Sequence, residues 1–229
     1  VMELGVNDPM IVVSDSDLES AVAAAVTSRC INGGQACNGA KRFLVQKEVV
    51  SDFTDRLSVL LSEIRMGDPM ESSTQLGPIA RFDLLEKVRR QVADTMAQGA
   101  DTAFQPRTVP ADSWFYPPTL LTGVIPGMTA FEEEIFGPVW SVTSFRDFED
   151  AVMLANASPF GLGAAVWTND RSIAERMITS LETGNVFIND FVRSDPRFPF
   201  GGVKRSGYGK ELGEAGLLEF VNWKTVWKA

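Results

Sequence analysis

Apolar and polar residues follow one another along the chain in blocks that predict strands and helices in turn. Short apolar runs predict buried strands, whereas apolar residues three or four positions apart, as in residues 49–64, predict helices with one buried face. The predicted strands are residues 10–13, 43–45, 139–145, 162–168 and 185–189, with a short extended piece at 119–121. The predicted helices are residues 16–29, 49–64, 81–98, 147–156 and 170–181. This alternation predicts an α/β fold with an open, mostly parallel sheet flanked by helices.

Several local signals set the ends of these elements. Ser16, with Glu19 three residues later, fits a capping box and predicts that Ser16 caps the first helix. Asp147 is the predicted cap of a later helix. Five prolines make most of residues 105–130 a predicted loop. Residues 220–227 form a predicted extended arm whose apolar side chains need a partner, such as another subunit.

The composition restricts the class of protein. A chain of 229 residues, 45% of them hydrophobic, is long enough for one large or two modest soluble domains with a sizeable core. The net charge of −9 disfavours nucleic acid or an anionic membrane as a partner. No apolar run approaches the roughly 20 residues that cross a bilayer. Two cysteines and no visible signal peptide lead us to expect a cytoplasmic protein.

Histidine is absent from the sequence, and this excludes several kinds of site. A Ser-His-Asp triad, a Cys-His pair and a zinc site with histidine ligands cannot form within these residues. Two cysteines are too few for a four-thiolate site, and we predict no metal. A general base must therefore be Asp, Glu, Lys, Tyr or a water that one of them holds.

The stretch Asn32-Gly33-Gly34-Gln35-Ala36-Cys37-Asn38-Gly39 places a thiol among small and amide residues. Its three glycines allow backbone conformations that other residues avoid, and they let a ligand approach the backbone closely. A buried structural cysteine lies more often within an apolar run. We therefore predict that Cys37 is a nucleophile toward a small carbonyl compound, with an inert thiol as the alternative.

Four motifs occur together in the chain. They are Glu3-Leu4-Gly5, Gly34-Gln35-Ala36-Cys37, Glu133-Glu134-Ile135-Phe136-Gly137-Pro138 and Pro199-Phe200-Gly201-Gly202-Val203-Lys204-Arg205-Ser206-Gly207. In this order and at these separations they closely resemble the aldehyde dehydrogenase superfamily, over essentially all 229 residues. The resemblance implies that residues 1–212 are the catalytic domain of that fold and residues 213–229 a C-terminal oligomerisation arm. We expect the family's nucleotide-binding portion, which would precede Val1, to be missing.

Further stretches narrow the resemblance to bacterial NAD(P)-dependent succinate-semialdehyde dehydrogenases. They are Met66-Gly67-Asp68-Pro69, Gly77-Pro78-Ile79-Ala80-Arg81-Phe82-Asp83-Leu84, Tyr116-Pro117-Pro118-Thr119, Ser194-Asp195-Pro196-Arg197 and Lys224-Thr225-Val226-Trp227. The implied substrate is a small aldehyde, succinate semialdehyde, and the implied cofactor is NAD or NADP. The full cofactor site is not contained in these residues. The resemblance also implies a homo-oligomer, a dimer or tetramer.

The resemblance assigns catalytic roles to two residues. Cys37 would attack the aldehyde to give a thiohemiacetal, and loss of hydride to the nicotinamide would leave a thioester. Water activated by Glu3 would then release the acid. Beside an apolar pocket, the pKa of Glu3 is expected to rise toward neutrality. On its own, Glu3 also fits a surface carboxylate beside a glycine turn.

Other positions acquire binding roles from the same resemblance. Glu134 would accept hydrogen bonds from the nicotinamide ribose, and Phe136 would pack near the ring. Phe200 would line the aldehyde pocket. Arg193 and Arg197, in the loop before Phe200, would bind the substrate carboxylate through paired hydrogen bonds. Each of these five residues also fits a structural role, as a core aromatic or a solvated charge.

Glu211 matches a family position near the base and would relay its proton. Val6 departs from the family pattern, because a second glycine usually follows Glu-Leu-Gly. A β-branched residue does not readily take a positive φ, so the position of Glu3 depends on whether that turn needs one. The side-chain oxyanion donor of the family, an asparagine, belongs to the missing portion, which leaves the Cys37 backbone N–H. The chain alone is therefore expected to be weak or inactive.

Two alternative functions stay open. The chain fits a non-catalytic oligomerisation or binding module whose thiol is unused. It also fits a cofactor-independent thiol esterase, because Cys37 and Glu3 suffice to form and hydrolyse a thioester. A disulfide between Cys30 and Cys37 would silence the nucleophile under oxidation, although Cys30 fits better as a core residue of its helix.

Overall fold

The computed structural model describes residues 1–106 and 114–229. The predicted proline-rich loop therefore lies partly outside the described residues, at 107–113. The strands are β1 (Met2–Glu3), β2 (Pro9–Val12), β3 (Arg42–Gln46), β4 (Asp101–Phe104), β5 (Thr119–Thr122), β6 (Val139–Phe145), β7 (Phe160–Gly161), β8 (Gly163–Trp167), β9 (Asn185–Ile188), β10 (Val203–Lys204) and β11 (Gly207–Tyr208). The helices are α1 (Leu18–Cys30), α2 (Val50–Ser62), α3 (Phe82–Ala97), α4 (Thr129–Glu132), α5 (Phe148–Asn156), α6 (Arg171–Ser180) and α7 (Gly213–Leu218).

Seven of these strands form one central sheet in the order β4-β5-β6-β3-β2-β8-β9. Only the pair β4–β5 is antiparallel, and every other neighbouring pair is parallel. The predicted mostly parallel sheet is confirmed. The edge strand β4 is an addition to the predicted set.

Helices cover both faces of the sheet. One core contains side chains of α3, α5 and α6, and the other contains side chains of α1 and α2. Strand β2 serves both cores, because Ile11 faces the first while Met10 and Val12 face the second. Strands buried on both faces read as continuous apolar runs, which is why these strands were visible in the sequence.

The first helix begins one residue later than the capping-box pattern predicts. Asp17, not Ser16, is its cap, and its carboxylate accepts a hydrogen bond from the Ser20 N–H at 3.2 Å. The charged acceptor also binds the Ser20 hydroxyl at 2.7 Å, which the Ser16 hydroxyl cannot match. The predicted cap at Asp147 is confirmed, because its carboxylate accepts from the Asp150 N–H at 2.9 Å.

The chain beyond the sheet ends in an exposed segment. Helix α7 is followed by residues 219–229, which have no regular secondary structure. Trp223 and Trp227 are 82% and 89% exposed. The extended arm predicted for residues 220–227 and its contact with another subunit stay predictions. Across the described part of the chain, no helix has both the length and the apolar surface that a membrane crossing needs.

Candidate active site

The candidate site lies where four neighbouring strands of the sheet begin. Cys37 precedes β3, Glu3 and Val6 precede β2, Phe136 precedes β6, and Leu162 precedes β8. These strands are adjacent in the order β6-β3-β2-β8 and run parallel. Their amino ends therefore meet at one edge, which brings together segments that are far apart in sequence.

The loop that carries Cys37 has a backbone that only small or amide residues accept easily. Asn32, Gly33 and Gly34 adopt left-handed conformations with φ of 50°, 65° and 76°. Gln35 holds this turn, since its amide nitrogen donates to the Asn32 carbonyl at 3.0 Å. Its amide oxygen accepts from the Ala80 N–H at 2.9 Å. The glycine-rich stretch thus forms a defined turn directly before the thiol.

Backbone pairing with another motif fixes the position of Glu3. Strand β1 pairs with β11, with Glu3 opposite Gly207, and the Leu4 N–H donates to the Ser206 carbonyl at 3.0 Å. A Cβ atom on Gly207 would lie 1.8 Å from the Met2 carbonyl oxygen, so only glycine allows this pairing. The first and fourth sequence motifs therefore form one small sheet beside the thiol loop.

Val6 does not disturb this arrangement. Its side chain is buried in the core that contains α1 and α2. Its φ is not positive, unlike that of the left-handed residues elsewhere in the described chain. The turn after Glu3 therefore needs no second glycine.

The predicted nucleophile and the predicted base line the same cleft, of about 230 Å³. Glu134, Phe136 and Leu162 line it as well. The structure therefore brings together four of the predicted site residues: Cys37, Glu3, Glu134 and Phe136.

The charges around the thiol favour its protonated form. Burial raises the pKa of Cys37, and the nearby Glu3 carboxylate raises it further. Lys41 and the Asn38 backbone N–H oppose this, because a cation and a donor stabilise the thiolate. The pKa of Glu3 is also raised, first by burial and then by the charge of Glu211. The expected rise for this carboxylate is confirmed in direction.

The Cys37 side chain acts on Glu3 in the opposite direction and lowers the pKa of that carboxylate against the two raising effects. A protonated thiol and a carboxylate of raised pKa that line one cleft can act as proton donor and proton acceptor.

Arg193, Arg197 and Phe200 lie elsewhere. They line a second cleft, of about 330 Å³. Arg193 is paired with Asp190 at 2.7 Å, and Arg197 with Asp195 at 2.6 Å. The structure does not bring these arginines to the cleft that Cys37 and Glu3 line.

Phe200 is buried and joins the core against which Cys37 packs. Its backbone pairs with Glu211 through two hydrogen bonds, of 2.7 and 2.8 Å. Glu211, whose charge raises the pKa of Glu3, is therefore held by the backbone of a predicted pocket residue.

Two charged residues of this region were missed by sequence reasoning. Lys41 and Asp8 are buried directly before β3 and β2, next to the thiol loop. The available signal was their position, because a charge at the entrance of a buried apolar strand needs a compensating partner. Both cysteines are free thiols, and Cys30 is half-buried at the end of α1. The described residues hold no cluster of three or more potential metal ligands.

Comparisons with protein families and with known proteins all match this chain to aldehyde dehydrogenases. A profile described as "Aldehyde dehydrogenase family" matches residues 1–226. A succinate semialdehyde dehydrogenase (NAD(P)+) of Escherichia coli strain K12 is 49% identical over 228 residues, covering 100% of this chain and 49% of that protein. Succinate-semialdehyde dehydrogenase (NADP+) 1 of Mycobacterium tuberculosis strain H37Rv is 44% identical over 229 residues, covering 100% and 50%.

Solved structures agree. The crystal structure of betaine aldehyde dehydrogenase from Staphylococcus aureus in complex with NAD+ matches with a TM-score of 0.91 at 35% identity, over 95% of this chain and 44% of that chain. The chain spans about half the length of the curated relatives it matches. Since the family profile covers nearly every residue and the relatives match along the whole chain, the chain belongs to the aldehyde dehydrogenase family.

Proposed function

We propose that this chain is the catalytic part of an NAD(P)-dependent aldehyde dehydrogenase that oxidises succinate semialdehyde to its acid. The observation that carries the proposal is the joint placement of Cys37 and Glu3 in one cleft. The substrate is proposed from the relatives of 49% and 44% identity, both of which are succinate-semialdehyde dehydrogenases. The nucleotide-binding portion is proposed to lie outside these 229 residues.

The thiol begins the proposed reaction. Glu3 takes the proton of Cys37 as the sulfur bonds to the aldehyde carbon, which gives a thiohemiacetal. The Cys37 backbone N–H stabilises the negative charge that develops on the aldehyde oxygen. After oxidation, Glu3 activates a water that attacks the resulting thioester, releases the acid and restores the thiol. Relay of the proton away from Glu3 through Glu211 is part of the proposal.

The residues of the cleft fit the nicotinamide end of the cofactor. Glu134 has a side chain 23% exposed, and its carboxylate is a suitable acceptor for ribose hydroxyls. Phe136 and Leu162 provide an apolar wall against which a flat ring packs. When bound, NAD(P)+ supplies the hydride acceptor for the oxidation.

The substrate tail is proposed to meet Arg193 or Arg197. Both are cations in the loop before Phe200, and arginine binds carboxylates through two parallel hydrogen bonds. Each is paired with an aspartate of its own loop, so the substrate carboxylate would compete with that aspartate or bind the remaining N–H groups of the guanidinium.

The exposed apolar residues at 219–229 are proposed to contact a second copy of the chain in a dimer or tetramer. Trp223 and Trp227 provide the large apolar side chains that such an interface uses. The proposed compartment is the cytoplasm, where free thiols such as Cys30 and Cys37 persist.

The test measures NAD(P)H formation and thiol labelling on the same preparation. NAD(P)H formation from succinate semialdehyde is followed with NAD+ and with NADP+, on the chain alone and with a nucleotide-binding portion of a relative supplied, and ester hydrolysis is followed without cofactor. Iodoacetamide labelling of Cys37 is mapped by mass spectrometry. Cys37→Ala is the control for both, and Cys30→Ala is the matched thiol variant.

Cofactor-dependent oxidation that Cys37→Ala abolishes and Cys30→Ala retains supports the proposal. Ester hydrolysis without cofactor, together with no NAD(P)H formation even when a nucleotide-binding portion of a relative is supplied, favours the thiol esterase. If Cys37 is not labelled across the pH range in which a free thiol reacts, the result favours the non-catalytic oligomerisation or binding module.

A further inference from the structure

A buried ammonium group lies directly under the thiol loop. Lys41 follows Cys37 by four residues and precedes β3, and its side chain is 2% exposed. Its Nζ donates to the Ala36 carbonyl at 2.9 Å and to the Cys37 carbonyl at 2.5 Å. It also lies 3.6 Å from Oε1 of Glu134. The ammonium thus donates two hydrogen bonds to the backbone of the thiol loop and forms an ion pair with Glu134.

A buried carboxylate accompanies this ammonium. Asp8 precedes β2, and its Oδ1 accepts from the Gly163 N–H at 3.0 Å. Its Oδ2 has no hydrogen-bond partner within the described residues. Among the charges that stabilise the ionised carboxylate, Lys41 acts more strongly than Arg42. Burial raises the pKa of Asp8 to about 7 and Lys41 opposes this rise, so Asp8 shares with Glu134, 3.6 Å from the ammonium, the balance of the buried charge.

Arg42, the next residue along the chain, is also a buried cation, but its hydrogen bonds are with the backbone of structural elements and not with the candidate site. Its three nitrogens donate to the carbonyls of Asn7, Leu154 and Ala155 at 2.9, 2.8 and 2.8 Å. The Arg42 bonds tie β3 to α5 and to the start of β2. Lys41, by contrast, joins the backbone of Cys37, through a hydrogen bond, to the side chain of Glu134, through an ion pair.

We propose that Lys41 is a positioning residue, which holds the Cys37 backbone and the Glu134 carboxylate in one fixed relation. The nucleophile and the acceptor for the cofactor ribose are then aligned as a unit, and Asp8 balances the charge. The catalytic meaning of this alignment rests on the proposed function, whereas the coupling itself is measurable in the protein without substrate or cofactor.

Lys41 is not itself the base. Its ammonium donates to two backbone carbonyls and pairs with a carboxylate, and a protonated amine has no lone pair to accept the thiol proton. The titratable groups that act on its pKa are Arg29, Asp8, Glu134 and Cys37. It touches the reaction only through the loop that it holds.

The test is hydrogen–deuterium exchange on the purified chain, with thermal unfolding measured in parallel. Exchange in residues 32–41 reports the thiol loop, and exchange in residues 139–145 reports the core. The variants are Lys41→Met, the double variant Asp8→Asn with Lys41→Met, and Glu134→Gln. Lys204→Met is the matched control, because Lys204 also donates to two carbonyls, of Asn156 and Ser158, and pairs with one glutamate, Glu182.

We expect Lys41→Met to lower the unfolding temperature and to speed exchange in residues 32–41 about tenfold. The double variant is expected to regain the unfolding temperature, because no buried charge is left unpaired, while the fast exchange persists. Glu134→Gln is expected to speed exchange in the same loop about twofold or more without unfolding the chain. Lys204→Met is expected to leave residues 32–41 unchanged.

Recovery of both the unfolding temperature and slow exchange in the double variant would overturn the proposal, since Lys41 would then only balance Asp8. If Glu134→Gln does not change hydrogen–deuterium exchange in residues 32–41, the proposed coupling between Glu134 and the Cys37 loop is also overturned. Glu134→Gln carries this test even if the Lys41 variants do not fold. A wild-type chain that forms no NAD(P)H even with a nucleotide-binding portion of a relative supplied would count against the proposed function alone, because the exchange comparison needs no activity.

Discussion

The backbone of Gly34 packs so closely on the backbone of Gly137 that a Cβ atom on Gly34 would lie 2.3 Å from the Gly137 carbonyl carbon. Gly34 belongs to the loop before Cys37, and Gly137 follows Phe136. This contact seats the thiol loop on the segment that carries Glu134. Two motifs separated by about a hundred residues of sequence therefore share one van der Waals contact.

Gly34→Ala is expected to destabilise the chain strongly. Overpacking costs about 1–3 kcal/mol, and the left-handed φ of 76° costs alanine about 1–2 kcal/mol more. Gly123→Ala is the matched control, since Gly123 has a similar φ of 68° but no atom of the described chain within 4 Å of a new Cβ. Urea unfolding measures both. Equal losses of stability in the two variants would show that the contact contributes nothing.

Glu3→Gln is expected to make the Cys37 thiol more acidic. The Glu3 charge raises the pKa of Cys37, so its removal increases the thiolate fraction and shifts iodoacetamide labelling to lower pH. Hydrolysis of an acylated Cys37 is expected to fall by about a hundredfold or more, because the proposed base is lost. Faster labelling with slower deacylation is the signature. If the labelling profile is the same in Glu3→Gln and in the wild type, the charge of Glu3 does not act on the Cys37 thiol.

Glu211→Gln is expected to shift the acidic limb of deacylation to lower pH. The charge of Glu211 raises the pKa of Glu3, after burial, and its removal lets Glu3 stay ionised at lower pH. The measurement is the pH profile of hydrolysis of the acylated chain. Glu214→Gln is the control, because Glu214 is exposed nearby on α7. A shift of the same size in both variants would contradict a specific effect of Glu211.

Arg42→Met is expected to lower the free energy of unfolding by about 3 kcal/mol or more. It leaves the carbonyls of Asn7, Leu154 and Ala155 without their donor, and each unpaired buried acceptor costs about 1–3 kcal/mol. Arg171→Met is the matched control and is expected to change stability by less than about 0.5 kcal/mol. Its side chain is 93% exposed and its ion pair with Glu175 is long. Denaturant unfolding of both variants makes the comparison.

Arg193→Gln and Arg197→Gln test recognition of the substrate carboxylate. Loss of a charge-assisted hydrogen bond worth about 1.5–3 kcal/mol predicts a rise of about tenfold or more in KM for succinate semialdehyde. An uncharged aldehyde of similar length is expected to keep its KM. If both aldehydes respond alike, or neither responds, the arginines of the second cleft do not read the substrate tail.

The sequence by itself determined the elements and the motifs. Strand β6 was predicted at its observed bounds, and the predicted β3 and α2 differ from the observed elements by at most two residues at each end. These strands and helices are visible because burial imposes a periodic apolar pattern on neighbouring residues. The family resemblance rests on local motifs for the same reason, since tight turns such as Gly33-Gly34 demand particular residues.

The tertiary structure decided how those pieces meet. No local sequence pattern specifies the order of the strands in the sheet. Only the fold shows that β6, β3, β2 and β8 begin side by side and that Cys37 and Glu3 line one cleft. The same holds for Lys41 and Asp8, whose burial depends on contacts across the sheet edge. It holds also for Arg193 and Arg197, which pair with neighbours in a separate cleft. Long-range contacts depend on the whole chain, because each side chain's environment is supplied by residues far away in sequence.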